Sequence, residues 1–205
     1  MRSDDEPKKA PASPAAGGAA AALQAKDYSR CLSLVGGAER GGRAGADLLQ
    51  IKGWCLLGLD RPQEAAQAFN QALPSLQGQK REDSAYGASL ALLRTGDTSA
   101  AAATASQVPL SASRRNDIGL QVLSQQALAA YQAGRWADAV AALNRRAAYA
   151  PETRDLMMLR GWSLFQLYDY EGARQAFTAV DRQLSDHDSQ KALATVADRL
   201  NTRNR

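Results

Sequence analysis

Side chains able to run acid–base, nucleophilic or metal chemistry are scarce in this sequence: one histidine, His187, and two cysteines, Cys31 and Cys55. His187 stands between Asp186 and Asp188 in a polar stretch. That set lacks the further ligands of a zinc site and the spare base of a Ser-His-Asp triad, so it reads as a solvated helix start and no metal is expected. No Gly-rich phosphate loop, CxxC pair, HExxH or GxSxG occurs, and no nucleophile has a positioned base. The expectation is a chain with no catalytic residue and no cofactor, not an enzyme. Cys31 and Cys55 read as buried, reduced small side chains. A bridge between them is the alternative and would suit an exported protein; spacing alone does not decide it.

Cations are the next candidates. Arg114, Arg115, Arg145, Arg146, Arg154 and Arg160 gather in the second half, interrupted by Asp117, Asp138, Glu152 and Asp155. Solvated helix faces with local ion pairs account for them better than a phosphate-binding surface. Lys and Arg number 25 against 21 Asp and Glu, giving +4 with the signs interspersed, so no nucleic acid partner is expected. No apolar run approaches the roughly 18 residues that cross a bilayer, and none follows the charged opening as a secretory signal requires. A soluble chain without membrane insertion is expected, one whose signal lies outside this sequence if it is exported.

Whatever function exists must therefore rest on surfaces, and surfaces on the elements that carry them. The 205 residues are 45% hydrophobic with only 6% aromatics; alanine and leucine dominate and β-branched residues are few, a composition of helices. The segment 1–18 has mixed charge, Pro7, Pro11 and Pro14, and no apolar periodicity, and reads as a disordered Pro/Ala-rich tail. Beyond it the chain repeats itself. The stretch from Leu48 to Leu73 aligns without a gap on Leu156 to Val180, matching Gly53-Trp54 to Gly161-Trp162, Ala65 to Ala173 and Phe69 to Phe177. Poorer copies carry Gly96 and Ala101, then Gly134 and Ala139, and a half copy lies around Cys31. The small residues Cys31, Ala65, Ala101, Ala139 and Ala173 are 34, 36, 38 and 34 apart. Helices are expected near 19–25, 27–36, 45–58, 62–73, 81–95, 98–107, 113–133, 136–149, 152–167, 170–183 and 187–202. Asp60, Asp97 and Asp169 are the candidate caps for helices that follow short turns.

Two amphipathic helices and a turn in about 34 residues resemble the tetratricopeptide repeat. The resemblance covers about 20–181, with Pro151 where the family commonly places a proline and Leu143 and Ala105 where it prefers Phe. It implies an all-α, right-handed superhelical solenoid of antiparallel helix pairs: about four repeats plus a partial first one over 19–184, then a capping helix over 185–205. Gly53, Ala65, Ala101, Ala139, Gly161 and Ala173 are the close-approach positions, and Phe69 and Phe177 the plugs between helices. The first helix of each pair then lines a concave groove, presenting Gln50, Trp54 and Leu57, then Tyr86, Leu90, Leu93 and Arg94. Further along come Ser124, Leu128, Tyr131 and Gln132, and last Met158, Trp162, Phe165 and Gln166.

Such a groove suits a partner peptide or helix, with Trp54, Tyr86, Tyr131, Trp162 and Phe165 as apolar anchors and Arg94, Gln132 and Gln166 orienting its backbone or an acidic group. Packing of the two Trp on neighbouring helices is the structural alternative. A glycan stacked on the same rings is the functional one. The half copy at the start leaves an open end near Leu23 and Leu32, a possible site of homo-oligomerisation. The phrase LRGWSLFQLYDYEGARQAF resembles bacterial repeats of periplasmic polysaccharide-secretion systems, including cellulose export; a cytoplasmic co-chaperone or assembly factor would use the same residues.

Overall fold

The computed structural model describes residues 14–203. They form eleven α-helices: α1 (Pro14–Gln24), α2 (Tyr28–Arg40), α3 (Ala46–Gly58), α4 (Pro62–Ala72), α5 (Gly78–Arg94), α6 (Thr98–Gln107), α7 (Ala112–Gln132), α8 (Trp136–Ala147), α9 (Arg154–Gln166), α10 (Tyr170–Gln183) and α11 (His187–Arg203), with a 3-10 turn at Leu73–Ser75. Every expected helix is present. The tail expectation is shortened, because α1 already begins at Pro14; residues 1–13 lie outside the described residues. α1 also completes the half copy. It packs along α2 through Ala16, Ala19 and Ala22, so the end expected to be open at Leu23 and Leu32 is covered and both leucines are half-buried.

The described residues divide into two compact units, with the boundary between Leu110 and Ser111. In the first, α1/α2, α3/α4 and α5/α6 are antiparallel pairs, and α2 packs on α3 as α4 packs on α5. In the second, α7/α8 and α9/α10 pair, α8 packs on α9, and α11 covers α10.

One turn recurs in both. Lys26, Asp60, Gly96, Gly134 and Tyr168 all have left-handed backbone, φ between 56° and 83°, and follow one another at 34, 36, 38 and 34 residues. Each closes the first helix of its pair with the same bond five residues back: Asp27 N–H to the Ala22 carbonyl, Arg61 to Leu56, Asp97 to Leu92, Arg135 to Ala130 and Asp169 to Leu164, at 2.9–3.0 Å. This is the Schellman arrangement, which satisfies the last carbonyls of a helix. Asp27, Asp97 and Asp169 then cap the second helix by accepting from Arg30, Ala100 and Gly172 N–H. The same backbone contact, with a further bond from the Ser99 hydroxyl, holds the Asp97 carboxyl below its ordinary range. Asp60 falls one residue short of this register. It takes the left-handed position, Arg61 becomes the N-cap without a side-chain bond, and Arg61 pairs with Glu64 instead, correcting Asp60 as a cap.

Five residues past each turn sits the buried small residue, Cys31, Ala65, Ala101, Ala139 or Ala173. Four residues later the second helix sends its plug inward. Phe69 is fully buried between two bare backbones: a Cβ on Gly53 of α3 would lie 2.7 Å from its ring, and one on Gly87 of α5 would lie 2.5 Å away. A Cβ on Gly161 would overlap the Phe177 ring in the same manner. Leu143 fills the equivalent place in α8 and Val35 in α2, both buried, whereas α6 has Ala105.

Cys31 and Cys55 are joined by a disulfide, which replaces the reading as reduced thiols. Because α2 packs directly on α3, two residues 24 apart in sequence come to a Cα separation of 6.3 Å, within bridging range.

Two opposite stability changes follow from these contacts. Gly161→Ala forces the Phe177 ring off its seat and lowers the unfolding free energy by about 1–3 kcal/mol. Asp60→Gly relieves a left-handed side-chain residue and raises it by about 0.5 kcal/mol, once glycine's greater freedom in the unfolded chain is subtracted. Chemical denaturation of the two variants beside the parent chain reads both.

Candidate functional site

The residues expected to line a groove separate into three groups. Gln50 and Leu57 are 8% and 7% exposed. The Gln50 side-chain amide donates to the Lys80 carbonyl at 2.9 Å, tying α3 to α5. Neither is a surface residue, which removes both from the groove; a helix flanked on two sides turns more of its circumference inward than a one-sided pattern allows. Leu93 is buried as well.

The second group is half-buried and packs while showing one side. Trp54 lies edge-on to Phe69 with ring centres 5.1 Å apart, and Trp162 lies edge-on to Phe177 at 5.0 Å. Each Trp therefore backs its own plug. Tyr86 covers the small cluster of Ala85, Val108 and Leu110, and Tyr131 meets Trp136 edge-on at 5.0 Å. Met158 and Phe165 pack on the Ala173–Phe177 cluster. Leu90 is also half-buried. Ser124 donates to the Leu120 carbonyl and accepts from Arg146, so its hydroxyl is spent on structure.

The third group is exposed. Leu128 is 46% exposed, and Gln132, Gln166 and Arg94 are open to solvent. The Arg94 guanidinium donates to the Leu57 carbonyl at 2.8 Å, where it supplies a cation to the end of α3. In the second unit, Leu128 and Trp162 hold the same repeat position on the adjacent helices α7 and α9.

Several arginines have structural duties. Arg146 is buried, donating to Ser124 Oγ at 2.8 Å and to the Pro151 carbonyl at 3.0 Å, and so fastens the chain between α8 and α9. Arg160 forks onto Glu152 and reaches Asn144, and Arg154 pairs with Asp186. The charge rule that places arginines in water hid Arg146 from the sequence reading. His187 opens α11, and among the described residues no group of three or more His, Cys, Asp or Glu could hold a metal ion. No described helix is long and apolar enough to cross a membrane.

A feature not singled out in the sequence is a row of ring contacts in the second unit. It runs from buried Phe177 to Trp162, then Phe165 at 5.8 Å, Tyr170 at 5.2 Å and Tyr168 at 6.2 Å, each ring edge-on or tilted to the last. Tyr168 is 73% exposed and occupies the left-handed position where two other turns carry glycine. The Tyr-Asp-Tyr triplet was its visible signal.

This turn register, with its recurring small residues and plugs, is that of a known repeat. The model of the tetratricopeptide repeat family matches residues 124–188. That segment is similar to the tetratricopeptide repeat. It takes in the end of α7, all of α8–α10 and the start of α11, and the helix pairs of the first unit share its turn. Among solved structures, the chain is similar to the P58(IPK) tetratricopeptide repeat domain, at 14% identity and a TM-score of 0.46 over 92% of this chain; it spans 65% of that domain's length. It is also similar to a tetratricopeptide repeat protein from Parabacteroides merdae, at 14% identity and a TM-score of 0.41 over 92% of this chain and 87% of the other. No curated protein matches.

The end of the repeat segment is pinned by carboxylates. Asp186 accepts from Ser189 N–H at 2.9 Å and Asp181 from the Ser189 hydroxyl at 2.7 Å. These bonds hold both carboxyls below their ordinary range. Their contribution is therefore complete above the unfolded value of about 3.9 and disappears as pH falls through the lowered folded values. Amide NMR should show Ser189 N–H unmoved between neutrality and about pH 4, then shifting together with the first turn of α11 on further acidification.

Proposed function

We propose that the chain is a non-catalytic scaffold that holds a segment of a partner protein against the first-helix faces of its repeats. Tetratricopeptide repeats are interaction modules, and the observation that carries the reading is Leu128. A leucine 46% exposed, at the repeat position held by Trp162 on the next first helix and near the exposed amides of Gln132 and Gln166, is an apolar anchor site with polar orienting groups beside it. In the first unit Trp54, Leu90 and Arg94 supply the corresponding face, with Tyr86 at its edge.

A protein segment accounts for this face better than a sugar. Stacking a sugar ring needs an open aromatic face, and Trp54 and Trp162 are half-buried against their plugs. The disulfide favours an oxidising compartment over the cytoplasm, so a periplasmic adaptor fits the residues better than a cytoplasmic co-chaperone. Polysaccharide secretion is the setting that the sequence resemblance adds.

The two tryptophans are poor test positions, because their loss also loosens Phe69 and Phe177. Leu128→Glu with Gln166→Ala changes exposed groups alone and should leave helicity unchanged while abolishing retention of a protein partner from a bacterial envelope extract. Equal retention by parent and variant would refute the groove. Retention of soluble oligosaccharide by the parent and not by the variant would replace the peptide with a glycan.

A further inference from the structure

We propose that the α1–α2 pair is held on α3 by the Cys31–Cys55 bridge and that a dithiol reductant releases this pair while the remaining helices stay folded. The helices differ in what they bury. At the plug position α4, α8 and α10 bury Phe69, Leu143 and Phe177, each inaccessible to solvent, whereas α2 offers Val35. Among its described side chains α1 buries Ala16, Ala19 and Ala22, and the larger side chains of the pair, Leu23, Tyr28, Leu32 and Leu34, are half-buried. Apolar stabilisation scales with area removed from water, so the plug of α2 seals less apolar area than those of α4, α8 and α10. Besides the cluster it forms with Leu48 and Ile51 of α3, its ties include the Tyr28 ring resting on the Gly58 backbone and the Lys52–Glu39 pair, both of whose side chains are about 30% exposed. An ion pair that wet adds little.

The bridge closes the gap. It stands four residues before the plug position, joining the small-residue position of α2 to the face of α3, and it keeps the undocked pair within a short loop of its seat. Both sulfurs are fully buried, so a reductant reaches them only when the pair opens. The dithiol passes two electrons and two protons to the bridge: the S–S bond breaks, Cys31 and Cys55 become thiols, and the reductant closes into its own disulfide. The opened pair then loses its tether, and Leu48 and Cys55 on α3 are uncovered. The first repeat is thus a redox-conditional part of the scaffold.

Hydrogen exchange by mass spectrometry on the full chain, with and without dithiothreitol, tests this. In the reduced chain, amides of 14–40 should lose about tenfold or more of their protection while α4 and α9–α11 keep theirs. The Cys31→Ala/Cys55→Ala variant should give the reduced pattern without reductant. Undiminished protection of 14–40 in the reduced chain would overturn the proposal, as would loss spreading through α3–α5, which would make the bridge a support of the whole unit. Ready maleimide labelling of both cysteines before any reductant is added would overturn it at its first step.

Discussion

Phe69 and Phe177 fill the space between helices only because Gly53, Gly87 and Gly161 leave backbone bare where the rings arrive, and most other features of the two units follow from that contact. A ring seated on backbone brings helix axes closer than side chain against side chain would. Close axes demand a small residue where the paired helices cross, which is why Ala65 and Ala173 precede the rings by four. They also demand a turn short enough to reverse the chain within that distance. The left-handed residue with its five-residue-back bond is that turn, and it recurs even where a lysine, an aspartate or a tyrosine must take the strained conformation.

The same contact explains what the tryptophans do. Trp54 and Trp162 follow the glycines on which the rings rest, and each lies edge-on to its plug with ring centres 5.1 and 5.0 Å apart. Part of each indole is thereby committed to the fold. On the proposed function, binding falls to positions that the stack does not use, Leu128 foremost, and to the amides around it. A surface of this kind takes its energy from whatever covers the leucine, and its selectivity from groups that water now satisfies.

Much of this was legible in the sequence because a repeat reports itself several times. The Gly-Trp copies fix the helix register, and with it the small residues, the plugs and the helix pairs. Properties set by distance across the fold were not legible. The Cys31–Cys55 bond depends on how α2 meets α3, which their spacing does not encode. Gln50 and Leu57 lie on a face that reads as exposed until helices on both sides are counted. Arg146 is buried by a loop whose carbonyls claim it, and Asp60 looks like a cap until the neighbouring turns show that the capping residue comes one place later.

The unequal intervals between turns have a consequence for how such a chain can vary. Its first helices are anchored at their downstream ends, so added residues must extend them upstream. Four extra residues, as between Gly96 and Gly134, make about one helical turn and leave the downstream side chains facing as before; with α6 at 10 residues against 12 for α8 and a shorter link after it, α7 runs to 21 residues against 13 for α9. Two extra residues, as between Asp60 and Gly96, would rotate the helix by more than half a circle, and here the chain inserts the 3-10 turn at Leu73–Ser75 before α5 begins. Length in this architecture is quantised at one end and fixed at the other, so a lineage can lengthen one edge of a unit by whole turns while every side chain near the reversal keeps its phase.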